Sequence, residues 1–233
     1  AVPGVVEVIE VPGAPAPAAF MPMGGVAVVA KTTWAAIRGR EKLNVQWEDG
    51  PNASYDSAAY RKQMSAVAAE PGKVVRNQGD AEAALAKAAK VVTAEYYQPH
   101  MAHTSMETPQ ALAIVKDGRC ECWAPAQSPY AVRTDIAKFL GLDVANVTVH
   151  VTLLGGGFGR KSKGDFALEA AHLSKAMGGA PVQLTWTRED DIRNSYYHTT
   201  SVERIEAGID EKGKVVAWRH RSVAPTILST FKE

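Results

Sequence analysis

The sequence holds two cysteines in 233 residues, too few for a disulfide framework, a four-thiolate zinc site or an iron–sulfur cluster. Any such centre belongs to another chain. An excess of charge of one sign is missing too. Lys+Arg 26 against Asp+Glu 25 leaves a net charge of +1, so no global field exists to hold a phosphate backbone or an anionic bilayer. Nucleic acid is therefore not an expected partner. No run approaches 18 uninterrupted apolar residues, and residues 26–30 have the length of a buried strand, so no membrane span is expected. What is present is an ordinary globular composition, 46% hydrophobic, 22% charged and 7% aromatic, enough for one large domain or two modest ones. The chain opens on Ala1 without a basic leader and closes on Phe231, Lys232 and Glu233 without a terminal signal, which reads as a piece of a longer protein.

Residues 5–11 read as a strand and the following Pro/Ala/Gly stretch as a loop. Residues 26–30 then form a strand, Thr33 caps a short helix, and residues 43–47 form another strand, a βαβ-like start. Residues 54–69 are helical in composition, and Asp80 caps an Ala-rich helix. Strands are expected at 91–97, 111–115 and 119–123, the last two joined through an Asp117-Gly118 turn. A period-two strand points Cys120 and Cys122 to one face as free thiols. Ser128-Pro129 opens a helix that Gly141 ends. Residues 147, 149, 151 and 153 alternate with polar ones as a half-buried strand, which runs into Gly155-Gly156-Gly157-Phe158-Gly159-Arg160. Asp165 then caps a helix, and residues 182–186 form a strand parallel to the one before the loop. Residues 187–197 read as a charged turn and 202–209 with 215–223 as a closing hairpin.

Strand, glycine loop and helix form the most informative unit. Glycine lets a backbone approach a ligand closely, and the loop amides with the following helix N-terminus favour anionic oxygens. Arg160 occupies the position where both the P-loop and the dinucleotide fingerprint need a glycine, so both familiar nucleotide motifs fail. A tight turn without a ligand is the bland alternative. Against it stand Phe158, an apolar ring in a polar loop, and Arg160-Lys161, two cations suited to a phosphate fork.

The combination of APAQSPYAVR (124–133), LLGGGFGRKSKGDFALEAAHLSKAMGGAPVQLTWTREDD (153–191) and HTSMET (103–108) resembles the molybdopterin-binding large subunit of the xanthine oxidase family. More narrowly, GGGFGR followed by the WTREDD segment resembles the branch of isoquinoline 1-oxidoreductase beta subunits and membrane-associated aldehyde dehydrogenases. The resemblance implies an α+β / α/β fold, with a hammerhead-like domain over residues 1–97 and part of a molybdenum-cofactor-binding α/β domain over 98–233. It implies molybdopterin cytosine dinucleotide with molybdenum, held by Gln127, Gly156, Gly157, Phe158, Gly159 and Arg160, and oxidation of a heteroaromatic or an aldehyde. Iron–sulfur clusters would lie only on a small partner subunit; the rest of the large subunit and a cytochrome acceptor complete the partners, and the periplasm or cell envelope is the expected location. Ser162 stands where purine-oxidising relatives place a glutamate, so a purine is a poor substrate. The family's general base is a glutamate in a Gly-Glu pair, and this sequence has none, so the chain is expected to be inactive alone. The competing class is a non-catalytic assembly module whose glycine loop contacts another chain.

His100, His103 and Glu107 lack the spacing of a metal set, and within the resemblance Glu107 is a structural carboxylate rather than the base. Arg188-Glu189-Asp190-Asp191 reads as surface ion pairing. Trp34, Trp47, Trp123, Trp186 and Trp218 are all expected in the core. No serine nucleophile elbow is present.

Overall fold

The computed structural model of the protein describes residues 2–230, with side chains through Leu228. Ala1 and residues 231–233, the ends expected from the sequence to be cut, lie outside the described residues. The order of elements is β1 (Val5–Val11), β2 (Gly25–Ala30), α1 (Thr33–Arg40), α2 (Ser57–Ala69), α3 (Ala81–Ala86), β3 (Lys90–Gln98), β4 (Gln110–Lys116), β5 (Arg119–Ala124), α4 (Pro129–Leu140), β6 (Val147–Val151), α5 (Asp165–Ala176), β7 (Val182–Thr185), α6 (Arg188–Arg193), β8 (Ser201–Ile209) and β9 (Val215–Val223). The fold is mixed α/β. Its residues group into two compact units, each drawn from separated stretches: Ala102–Tyr196 with the N-terminal segment through Trp47, and Glu48–Met101 with Tyr197–Ile227.

The first unit is built on a four-stranded sheet of order β6-β5-β4-β7, in which β5 runs parallel to β6 and antiparallel to β4. Asp117 (φ 51°) and Gly118 (φ 72°) close the β4–β5 hairpin with the two positive φ angles that match strand twist. The inner face of these strands is made of small residues, Ala111, Ala113, Cys120, Cys122 and Ala124, all buried. They let α5 lie close with Phe166, Ala167 and Ala170, while α4 adds Val132 and Ile136 to the same core. Each fully buried large apolar side chain contributes about 1.5–3 kcal/mol. The two thiols share this face, and burial pushes them up to about 11 and about 12, so they stay protonated and inert at neutral pH. Gly141, at φ 70°, takes the left-handed conformation that ends α4.

The second unit is an antiparallel sheet of order β3-β8-β9. Met64 and Ala68 of α2 join Val202 of β8 in its core, and Arg219 links Glu206 (2.7 Å) to Glu82.

Several expectations need correction. Thr32, not Thr33, caps α1, accepting from the Ala35 amide at 3.2 Å. Residues 43–47 form no strand, and the chain opens with the antiparallel β1–β2 ladder followed by α1. Gly164, not Asp165, is the N-cap of α5. β7 runs in the direction of β6 but pairs antiparallel with β4 at the far edge, Gln110 opposite Thr185, so the connection passes two strands. Residues 188–193 are helical because Thr187 and Asp190 form a reciprocal capping box. Trp186 is buried, but Trp34, Trp47 and Trp218 are 56–70% exposed.

A Cβ on Gly164 would stand 2.8 Å from Val132 Cγ2, where α4 meets the start of α5. Gly164→Ala should therefore destabilise the chain by roughly 1–3 kcal/mol in chemical denaturation through overpacking; an unchanged midpoint would contradict this packing.

Candidate functional site

The glycine loop leaves the end of β6 through three exposed residues, 152–154, and enters α5 through a short 3-10 turn at Arg160–Ser162. Gly156 (φ 95°), Phe158 (φ 51°) and Gly159 (φ 90°) all take left-handed conformations, which a phenylalanine adopts only when its surroundings hold it there. The Phe158 ring is 72% exposed.

The loop's backbone donors fall into two sets. The Gly155 amide donates to Glu107 Oε2 (3.0 Å), the Gly159 amide to Gln127 Oε1 (3.0 Å) and the Arg160 amide to the Gly157 carbonyl (2.8 Å). The amides of Gly156, Gly157 and Phe158 meet no protein acceptor among the described residues. Successive backbone N–H groups without a protein acceptor are the kind of donor that can bind an anionic oxygen. Gln127 flanks these groups: its amide donates to the Lys161 carbonyl at 2.8 Å, and with Oε1 engaged by Gly159 its side-chain NH₂ remains a donor. A Cβ on Gly157 would lie 2.5 Å from Gln127 Oε1, so a side chain there displaces the Gln127 side chain from the loop.

The basic pair is turned inward, which corrects the phosphate-fork reading. Arg160 is 1% and Lys161 0% exposed. Arg160 makes a bidentate pair with Asp165 (2.8 Å twice), donates to Ser195 Oγ (2.9 Å) and lies over the Trp186 and Tyr196 rings at 5.2 and 5.7 Å. Burial pushes the Asp165 carboxyl up, against the pull of the guanidinium. Lys161 Nζ donates to Glu107 Oε2 at 2.5 Å. Desolvation pushes Glu107 up, but hydrogen bonds from Lys161, Gln110 and the Gly155 amide outweigh it and hold the carboxyl below its ordinary value. His100 pairs instead with Tyr55 Oη at 3.1 Å.

The structure thus brings together Gln127, Gly156, Gly157, Phe158 and Gly159, and withdraws the Arg160 side chain from the surface. Sequence reasoning missed the support beneath. Asp165, Ser195 and Trp186 surround Arg160, and Trp186 Nε1 donates at 2.8 Å to the buried Glu169. Burial, with the Asp165 charge, pushes Glu169 up to about 8 despite the Trp186 hydrogen bond and Arg160. The acidic side chains at Asp165 and Glu169, set among Phe166, Ala167, Leu168 and Ala170, were the signal that could have revealed it. Arg188-Asp191, expected at the surface, buries Asp191 and donates to the carbonyls of Ser105 and Met106. An open groove of about 420 Å³ runs beside the loop, bordered by Glu107, Gln110, Leu112, Trp123, Pro125 and Leu153; Gln127 is not part of its lining.

Residues 67–226 match the family described as Molybdopterin cofactor-binding domain. The chain is 32% identical over 203 residues to the membrane-bound aldehyde dehydrogenase [pyrroloquinoline-quinone] of Gluconacetobacter polyoxogenes, covering 86% of this chain and 26% of that protein. It is 29% identical over 241 residues to isoquinoline 1-oxidoreductase subunit beta of Brevundimonas diminuta, covering 98% and 29%. Its fold matches quinoline 2-oxidoreductase from Pseudomonas putida 86 with a TM-score of 0.68 and 23% identity, over 95% of this chain and 32% of that one. The chain spans under a third of each.

The ordinary glutamate pKa is near 4.3, and the folded value at Glu169 is about 8. A raised folded pKa favours the folded state at low pH, and that contribution disappears as pH rises from the unfolded value through the folded one. Glu169→Gln should match the parent's unfolding temperature at acidic pH and become progressively more stable than it as pH rises toward about 8, the difference levelling off above that. A gap that does not change with pH would contradict this.

Proposed function

The chain belongs to the Molybdopterin cofactor-binding domain family, and on that premise we propose that it is the cofactor-holding part of the large subunit of a molybdenum-dependent oxidoreductase acting on an aldehyde or a heteroaromatic ring. The observation that carries this reading is the row of unpaired amides at Gly156, Gly157 and Phe158, beside a glutamine amide and at the carboxyl end of a strand, where α/β sheets take their ligands. The residues fit a cofactor with anionic oxygens: backbone N–H groups bind such oxygens without a side-chain cation. A pyranopterin cytosine dinucleotide meets that description. The Gluconacetobacter relative's name assigns a quinone to that protein; the family match supports molybdopterin here.

The bound group supplies oxidation at an electron-poor carbon. This chain's residues hold and shield it. Gly156, Gly157 and Phe158 donate from the backbone, and the Gln127 NH₂ donates from the flank. Glu107 is unsuited to act as a base, because both its oxygens are engaged and its carboxyl is held below the ordinary value. The base therefore comes from the remainder of the subunit. Phe158, Met106 and Leu153 are 72%, 89% and 95% exposed, an apolar surface suited to being covered by that remainder. A small iron–sulfur subunit and a cytochrome would carry electrons away, in the periplasm or cell envelope.

The complete subunit, made in a molybdenum-replete host, should carry stoichiometric molybdenum and release a fluorescent pterin on acid treatment. Gly157→Val, which drives a side chain into Gln127, should abolish both. A complete, assembled subunit without cofactor would favour the assembly-module reading, and unchanged retention in the variant would refute the loop assignment.

A further inference from the structure

The Glu107 carboxylate joins the two ends of the glycine loop. Its Oε2 accepts from the Gly155 amide at the entry (3.0 Å) and from Lys161 Nζ at the exit (2.5 Å), while Oε1 accepts from Gln110 Nε2 (2.6 Å). The main chain repeats the link, with the Glu107 amide donating to the Gly155 carbonyl at 3.1 Å. We propose that Glu107 is a positioning residue that fixes the span of the loop and so aims the amides of Gly156, Gly157 and Phe158 at the ligand; this rests on the cofactor reading above.

A backbone rich in glycine has more freedom to lose than any other on becoming ordered. Tying both ends to one oxygen removes part of that freedom before a ligand arrives, and preorganisation of this kind raises affinity without a new contact to the ligand. Lys161 makes the tie durable. Its ammonium is fully buried, so it cannot turn to water and must keep a counterion. Glu107 thus acts through the loop and does not touch the reacting atoms.

Two doubly substituted complete subunits isolate the oxygen from the ion pair. Glu107→Gln with Lys161→Met keeps an acceptor for the Gly155 amide, whereas Glu107→Leu with Lys161→Met removes it; neither leaves a buried charge unpaired. Should leucine prevent folding, Glu107→Ala serves the same comparison. The variant lacking the acceptor should show amide hydrogen exchange across residues 155–159 about tenfold faster than the other, and lose molybdenum on dialysis faster by a similar factor, as befits one hydrogen bond of about 1–1.5 kcal/mol. Equal exchange in the two variants would overturn the proposal. So would equally rapid molybdenum loss from both, because Lys161 itself would then hold the ligand. Exchange needs no cofactor: if the parent carries no molybdenum but the variants still differ, the cofactor reading fails and the loop tie stands.

Discussion

Two cations lie next to each other in the interior, at Arg160 and Lys161, and a buried cation without a partner costs about 3–5 kcal/mol. Meeting that demand organises the site. Asp165, at the first position of α5, takes Arg160 with two parallel hydrogen bonds, which ties the loop's exit to the helix that forms the core with β4 and β5. Glu107, from the segment before β4, takes Lys161 and the loop's first amide together. The loop is therefore held from within by its own ion pairs, and the amides of Gly156, Gly157 and Phe158 are left without a protein acceptor among the described residues.

That arrangement changes how charge serves the site. A phosphate fork made of Arg160 and Lys161 would attract anions from a distance and be screened by salt. Backbone amides act at contact, with direction set by the main chain. In the proposed reading, neutralising the cations inside leaves selectivity to shape, to the Gln127 NH₂ and to the absence of a side chain at Gly157.

Much of the architecture was legible locally. The Asp117-Gly118 turn and the Pro129 start and Gly141 stop of α4 carry short-range signals that the structure follows, whereas the period-two run opens β6 but ends at Val151, with Leu153 95% exposed beyond it. The errors share a cause in non-local packing. Residues 43–47 have strand composition but no neighbouring strand to pair with. β7 runs in the expected direction, but nothing in its four residues encodes that the β4 edge lies open to it. α6 was hidden by charge, although Thr187 and Asp190 stand at capping-box spacing. At the site, the meeting of Gln127 with the glycine loop was readable through family resemblance. The inward turn of Arg160 was not, since a basic residue after a glycine run looks the same whether its counterion is a ligand or an aspartate five residues on.

The most direct measurement is a crystal structure of the complete subunit with its cofactor bound. Anionic oxygens of the cofactor should lie within hydrogen-bond distance of the amides of Gly156, Gly157 or Phe158, with Arg160 still paired to Asp165 and Lys161 to Glu107. A cofactor oxygen held by the Arg160 guanidinium or the Lys161 ammonium, with either internal pair broken, would contradict the account.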